Sequence, residues 1–204
     1  MGPLCRHPDG GLEGLRDAWG TMKFAVPEYG QMSARRVSVA AISIAIVTVM
    51  VTIVRIPVPA TGGYWHLGVV AETFVGAAFG PLLGLIAAGA GAAIADLIAG
   101  YGSFAPLTLA AHGSTGLLMG WLGWKKGWAG MLAGWVLGGL AQVALYFLGE
   151  ATLYGFGAAG AAAELPGNLV QVALGGLGLV LFQQVRRVYP RILTLASAEA
   201  FEEA

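Results

Sequence analysis

Long uncharged runs separated by short polar or Pro/Gly-containing breaks dominate the chain. They run from Val37 to Val54, through a stretch interrupted by Glu72 and Asp96, then from Leu97 to Trp124, Gly127 to Gly149 and Leu165 to Val185. Two of these runs exceed one membrane crossing. Pro81, in Gly80-Pro81-Leu82-Leu83-Gly84, divides the first, and Tyr101-Gly102-Ser103-Phe104-Ala105-Pro106 divides the second, because Pro and Gly mark helix boundaries or kinks. The pattern therefore predicts helices over about 37–56, 67–80, 82–100, 106–124, 128–149 and 165–185, the second of them short. Membrane strands would alternate over segments of about 10 residues, and the Ala, Leu and Gly runs here do not alternate. The expected fold is an all-α integral membrane protein with six transmembrane helices.

Composition strengthens this reading. Of 204 residues 57% are hydrophobic, 11% are charged and 33 are Gly, whereas about a quarter of a soluble chain is charged. At roughly 20 residues per crossing, six spans leave no room for a separate soluble catalytic domain. Zero net charge without a basic cluster argues against nucleic acid, whose binding needs many Lys and Arg contacts to phosphate. The single Cys5 can form neither an internal disulfide nor a Cys-based metal site.

Loop charges predict an orientation through the excess of Lys and Arg in cytoplasmic loops. Arg35 and Arg36 precede helix one, Lys125 and Lys126 separate helices four and five, and Arg186, Arg187 and Arg191 follow helix six. All three groups fall on one side, so both termini are expected in the cytoplasm of a multi-pass protein of the cell membrane. Arg55 alone breaks the pattern. Residues 1–31 have no spanning run and no apolar core of a signal peptide, and are expected to be a disordered or dispensable tail. Residues 32–191 would form the membrane domain, and 192–204 a short cytoplasmic tail.

Candidate chemistry is sparse. No Lys precedes Ser or Thr, so there is no P-loop, and Gly155-Phe156-Gly157-Ala158-Ala159-Gly160 lacks the strand and acidic partner of a dinucleotide site; it reads as a flexible connection. Nothing calls for a cofactor or metal, and any active transport must draw energy from a partner or an ion gradient. Charged groups within a bilayer usually mark function, which singles out Glu72 and Asp96, both towards the outer leaflet by this topology. Glu164, Asn168 and Gln171 are spaced i, i+4 and i+7 and share one helical stripe, with Pro166 suiting a first helical turn. Two amides on that stripe suit a neutral heterocycle. Thr108, His112 and Thr115 on helix four, and Gln142, Tyr146 and Glu150 on helix five, descend from the same side. Between helices one and two, Pro57-Val58-Pro59-Ala60-Thr61-Gly62-Gly63-Tyr64-Trp65-His66 combines stiff and free halves with flat rings, as a lid over an aromatic ligand requires. On helix one, Ser38, Ala41, Ala45, Thr48 and Thr52 form a small-residue stripe that lets another helix approach closely, either a partner's or one of this chain's own.

Four segments carry a resemblance: Gly63-Tyr64-Trp65-His66-Leu67-Gly68, Phe79-Gly80-Pro81-Leu82-Leu83-Gly84, Ala95-Asp96-Leu97-Ile98-Ala99-Gly100-Tyr101, and Glu164-Leu165-Pro166-Gly167-Asn168-Leu169-Val170-Gln171. Over about residues 33–190 the chain resembles the substrate-binding S components of energy-coupling factor (ECF) vitamin transporters. The resemblance implies a small vitamin-like ligand held near the outer surface under the loop joining helices one and two. It also implies a transmembrane T component and two cytoplasmic ATPases as partners, and docking through an Ala-x-x-x-Ala motif at Ala41 and Ala45. The residues then expected at the ligand are Trp65, His66, Glu72, Asp96, His112, Gln142, Tyr146, Glu164, Asn168 and Gln171. Val69 and His112 stand where relatives often carry an acidic and a basic residue, so thiamine or a pyrimidine, riboflavin and a pyridoxine-like compound all stay open. The other readings are a stand-alone secondary transporter or channel and, third, a small intramembrane enzyme.

Overall fold

A computed structural model of the chain describes residues 34–59 and 61–195. The expected tail 1–31 and residues 196–204 lie outside the described residues. Among the described residues six helices follow one another: α1 (Ala34–Ile53), α2 (Gly68–Phe79), α3 (Pro81–Ala99), α4 (Ala105–Gly123), α5 (Trp128–Thr152) and α6 (Gly157–Val188). A hairpin of β1 (Arg55–Val58) and β2 (Gly63–His66) joins α1 to α2, and a 3-10 turn, Pro190–Thr194, follows α6. Helices α1, α3, α5 and α6 are long and apolar enough to cross a membrane. The 12 residues of α2 reach only about 18 Å at 1.5 Å per residue, less than the hydrocarbon core.

Large aliphatic side chains such as Ile42, Ile53, Leu82, Ile98, Leu140 and Leu177 point outwards, whereas Ala77, Ala78, Ala87, Ala88 and Ala92 are wholly buried. A soluble bundle would reverse this arrangement. Lipid solvates the large side chains, and small interior residues allow close helix packing. The closest approach is between α3 and α4, where a Cβ on Gly116 would lie 2.1 Å from the Gly84 carbonyl oxygen and one on Gly89 2.7 Å from that of Leu109.

Gly80, at φ 88°, turns α2 into α3, and Pro81 opens α3. Gly100, at φ 85°, closes α3 in the left-handed conformation, with the Tyr101 amide returning to the Asp96 carbonyl at 2.8 Å, a glycine-dependent helix stop. These breaks fall where the Pro and Gly residues predicted them.

The start of helix six is corrected. Helix six begins at Gly157, so Pro166 lies inside it rather than in its first turn, and the run Gly157 to Gly160 is helical rather than a flexible connection. Pro166 removes one backbone donor, yet the Ala-rich segment 158–163 has strong helix propensity and carries the helix two turns further. The small-residue stripe on α1 also divides. Ser38, Ala41 and Ala45 are exposed, while Thr48 turns inward and donates to the Gly91 carbonyl at 2.9 Å.

Candidate ligand site

The hairpin register pairs Arg55 with His66 and Val58 with Gly63, which leaves residues 59–62 between the strands, Thr61 and Gly62 among them. Gly62 adopts φ 73°, a conformation suited to glycine, and its amide donates to the Val58 carbonyl at 3.0 Å. Side chains fasten this hairpin to two helices. The Tyr64 hydroxyl donates to Asp96 Oδ1 on α3 at 2.5 Å. Thr61 donates to Glu164 on α6, and Gln171 Nε2, also on α6, donates to the His66 carbonyl at 3.4 Å. Gly63 fits under Glu164 because a Cβ there would come within 2.8 Å of Oε1, and Gly167 leaves room for the Trp65 indole.

Below the hairpin lies a cleft of about 380 Å³, counting space open to solvent. Its aromatic wall comes from Tyr64, His66, Tyr101, Phe104 and Tyr146, and its polar lining from Asp96, Thr108, Glu150, Glu164 and Asn168. Tyr64 and Tyr101 meet edge to face at 4.9 Å between centroids, and the Tyr146 hydroxyl donates to Thr108 at 3.0 Å. Burial, and then the hydrogen bond to Asp96, push the Tyr64 phenol well above its ordinary range. It remains a protonated donor.

A second layer lies against the first. His112 Nδ1 donates to Glu72 Oε2 at 2.8 Å, and the His66 and His112 rings approach to 4.8 Å. The Gly68 amide donates to His66 Nδ1 at 3.1 Å, so the proton of the neutral ring sits on Nε2. Burial, and secondarily the nearby His112, hold His66 well below the ordinary histidine range. His66, Glu72 and His112 could each offer a ligand atom to a metal ion, all within 4.8 Å of one another. However, one His66 nitrogen is occupied and the other protonated, so the trio fits a hydrogen-bonded support better than a coordination shell. A further cavity of only about 10 Å³ lies among Thr73, Thr115, Gln142 and Gln171, with the Thr115 hydroxyl bonded to Gln142 Oε1 at 3.0 Å.

The expected site residues thus fall into three groups. His66, Asp96, Tyr146, Glu164 and Asn168 line the cleft. Glu72, His112, Gln142 and Gln171 are buried behind it, Glu72 paired with His112. Trp65 packs over Gly167 on α6, outside the cleft lining. Ala41 and Ala45 stand on the exposed face of α1. Tyr101 and Phe104 are the lining residues that sequence reasoning missed. Their signal was two aromatic rings in a segment read only as a break between spans.

A family model described as "ECF-type riboflavin transporter, S component" matches residues 31–187. A Pyrococcus woesei protein described as "Uncharacterized protein in gap 3'region" is 41% identical over 147 residues, covering 68% of this chain and 96% of that protein. A solved structure reported as "Structure and mechanism of the S component of a bacterial ECF transporter" aligns with a TM-score of 0.61 at 17% identity, over 76% of this chain and 96% of its own. That last likeness is one of fold.

Proposed function

The chain belongs to the S-component family of ECF-type transporters, a membrane transport family and not an enzyme family, and from that premise we propose that its cleft captures a small heteroaromatic vitamin or vitamin precursor at the outer face of the cell membrane. The observation that carries this reading is the cleft under the hairpin, where flat aromatic walls meet carboxylates and the Asn168 amide. Such a site stacks on a ring and hydrogen-bonds its edge, the usual division of labour in small-molecule pockets. Riboflavin, named in the family description, is the reference ligand.

Delivery inward would require a transmembrane T component and two ATPases, since the chain has no nucleotide motif. Arg35, Arg36, Lys125, Lys126, Arg186, Arg187 and Arg191 lie in sequence at the helix ends remote from the hairpin, which supports cytoplasmic termini and an outward-facing cleft. The exposed Ala41 and Ala45 would receive the T component.

Native mass spectrometry of the purified chain, followed by isothermal titration with a vitamin panel, tests the capture step. A vitamin-like ligand with saturable binding is expected. Uptake by cells expressing this chain without the T component and ATPases would instead favour a stand-alone transporter.

A further inference from the structure

Resting on this reading of the cleft, we propose that its ligand is a heteroaromatic base, positively charged or bearing an amino group, in preference to the neutral ring of riboflavin. Three helices each bring a carboxylate to the lining: Asp96 from α3, Glu150 from α5 and Glu164 from α6. Among the described residues no Lys or Arg lines the cleft. Arg55, on the hairpin, is exposed, sits 5.7 Å from the Tyr64 ring centre and acts on Asp96 only through its charge.

These carboxylates are only partly engaged within the protein. Asp96 gives Oδ1 to Tyr64, and Glu164 accepts from Thr61. Glu150 Oε2 is buried without a hydrogen-bond partner among the described residues, with Glu150 only 3% exposed, and Asp96 Oδ2 meets the strict hydrogen-bond geometry with no described residue, the Thr108 hydroxyl being its neighbour. Buried polar atoms are nearly always paired, so under-satisfied carboxylate oxygens on residues that line one cleft call for donors from whatever occupies it. A donor-bearing cation placed among these acceptors satisfies them, and an anionic ligand, which brings further acceptors, does not.

The walls agree with this charge preference. The faces of Tyr64, Tyr101, Phe104 and Tyr146 carry the negative part of the aromatic quadrupole, which attracts a cation placed over them. Asn168 offers both a donor and an acceptor, matching a ring nitrogen beside an amino group.

Full-length protein in lipid nanodiscs should be titrated with a hydroxymethyl aminopyrimidine, thiamine, riboflavin and pyridoxal phosphate. The inference expects the aminopyrimidine or thiamine to bind at least about tenfold more tightly than riboflavin, with no binding of pyridoxal phosphate. Glu150→Gln, which keeps shape and removes charge, should weaken the favoured probe by about tenfold or more, with Asp96→Asn as a second variant should Glu150→Gln fail to fold. Riboflavin binding more tightly than both bases, or unchanged affinity of the favoured base in a folded charge variant, overturns this inference and leaves the vitamin-capture reading standing. Binding of pyridoxal phosphate alone does the same. Failure of every probe to bind overturns both.

Discussion

Replacing Gly116 by Ala tests whether the α3 and α4 contact sets the stability of the bundle. The new methyl carbon would stand 2.1 Å from the Gly84 carbonyl oxygen, 2.5 Å from its carbonyl carbon and 2.9 Å from Ala88 Cβ. Carbon and carbonyl oxygen approach closely at about 3.3–3.6 Å, so the helices must separate locally by roughly 1 Å or more. Backbone atoms form the obstacle, and no rotamer change can remove them. Overpacking typically costs about 1–3 kcal/mol, and a clash against backbone belongs at the upper end of that range. For a chain of this size about 3 kcal/mol lowers the melting temperature by roughly 6–12 °C. Gly127→Ala is the control, since nothing lies within 4 Å of its Cβ position and its φ is −73°. Thermal unfolding in one detergent should separate the two variants. Adding Gly84→Ala, which meets the Gly116 carbonyl oxygen at 2.3 Å, should cost less in the Gly116→Ala background than alone, because the helices have already parted. Equal melting of Gly116→Ala and Gly127→Ala would refute the reasoning.

Four further outcomes are expected. Ala41→Leu and Ala45→Leu extend into space outside the bundle, so melting and ligand affinity should hold while co-purification with a T component falls by roughly 5- to 150-fold, the equivalent of about 1–3 kcal/mol of overpacking at the interface; equal damage to ligand binding would place the stripe inside the fold. Asn168→Ala should weaken ligand binding by about ten- to a hundredfold, whereas Gln171→Ala, which removes the long bond to the His66 carbonyl, should chiefly accelerate amide exchange in the hairpin; the reverse ranking in titration and exchange would exchange their roles. Because His66 is held neutral in the folded chain, the unfolded chain alone takes up its proton as pH falls below about 6.5, so this contribution to stability is present above that pH and declines below it; a chemical-denaturation series that is unaltered by His66→Gln would contradict this. Expression from Met32 should leave folded yield and ligand affinity unchanged, and a large loss of either would assign residues 1–31 a role.

Helix identity was readable because membrane solvation writes long apolar runs, and because Pro81 and the segment Tyr101 to Pro106 punctuate them where the backbone turns. The start of α6 was not readable in the same way. Pro166 and the Gly and Ala residues before it have the composition of a boundary, yet a proline costs a helix one donor and need not end it. At the site, helical spacing placed Asp96, Tyr146, Glu164 and Asn168 towards one end of the bundle. It could not reveal which polar groups satisfy one another, since that depends on how helices rotate against their neighbours. Gln171 shares the stripe of Asn168 but bonds to the hairpin backbone, and Glu72 finds His112 across 40 positions of sequence. The hairpin itself was read as a lid from its rings and glycines, while its strand pairing was not anticipated in a segment containing Pro57 and Pro59.

The buried polar groups also limit how the site can be probed. Insertion scales put a charged residue at mid-bilayer at about 2.5–3.5 kcal/mol, and Asp96 and Glu164 are each tied to the hairpin through Tyr64 and Thr61. Replacing either with Ala would remove a cleft-lining group and a hairpin fastening together, so loss of binding would not distinguish ligand contact from a displaced hairpin. Tyr64→Phe and Thr61→Val remove the fastenings while leaving the carboxylates in place. Charge-only replacements such as Asp96→Asn keep an acceptor for Tyr64 and change the cleft. A ligand contact through Asp96 therefore predicts that Asp96→Asn damages affinity more than Tyr64→Phe does. A purely structural carboxylate predicts the opposite order, because the hydroxyl bond would then carry its whole effect.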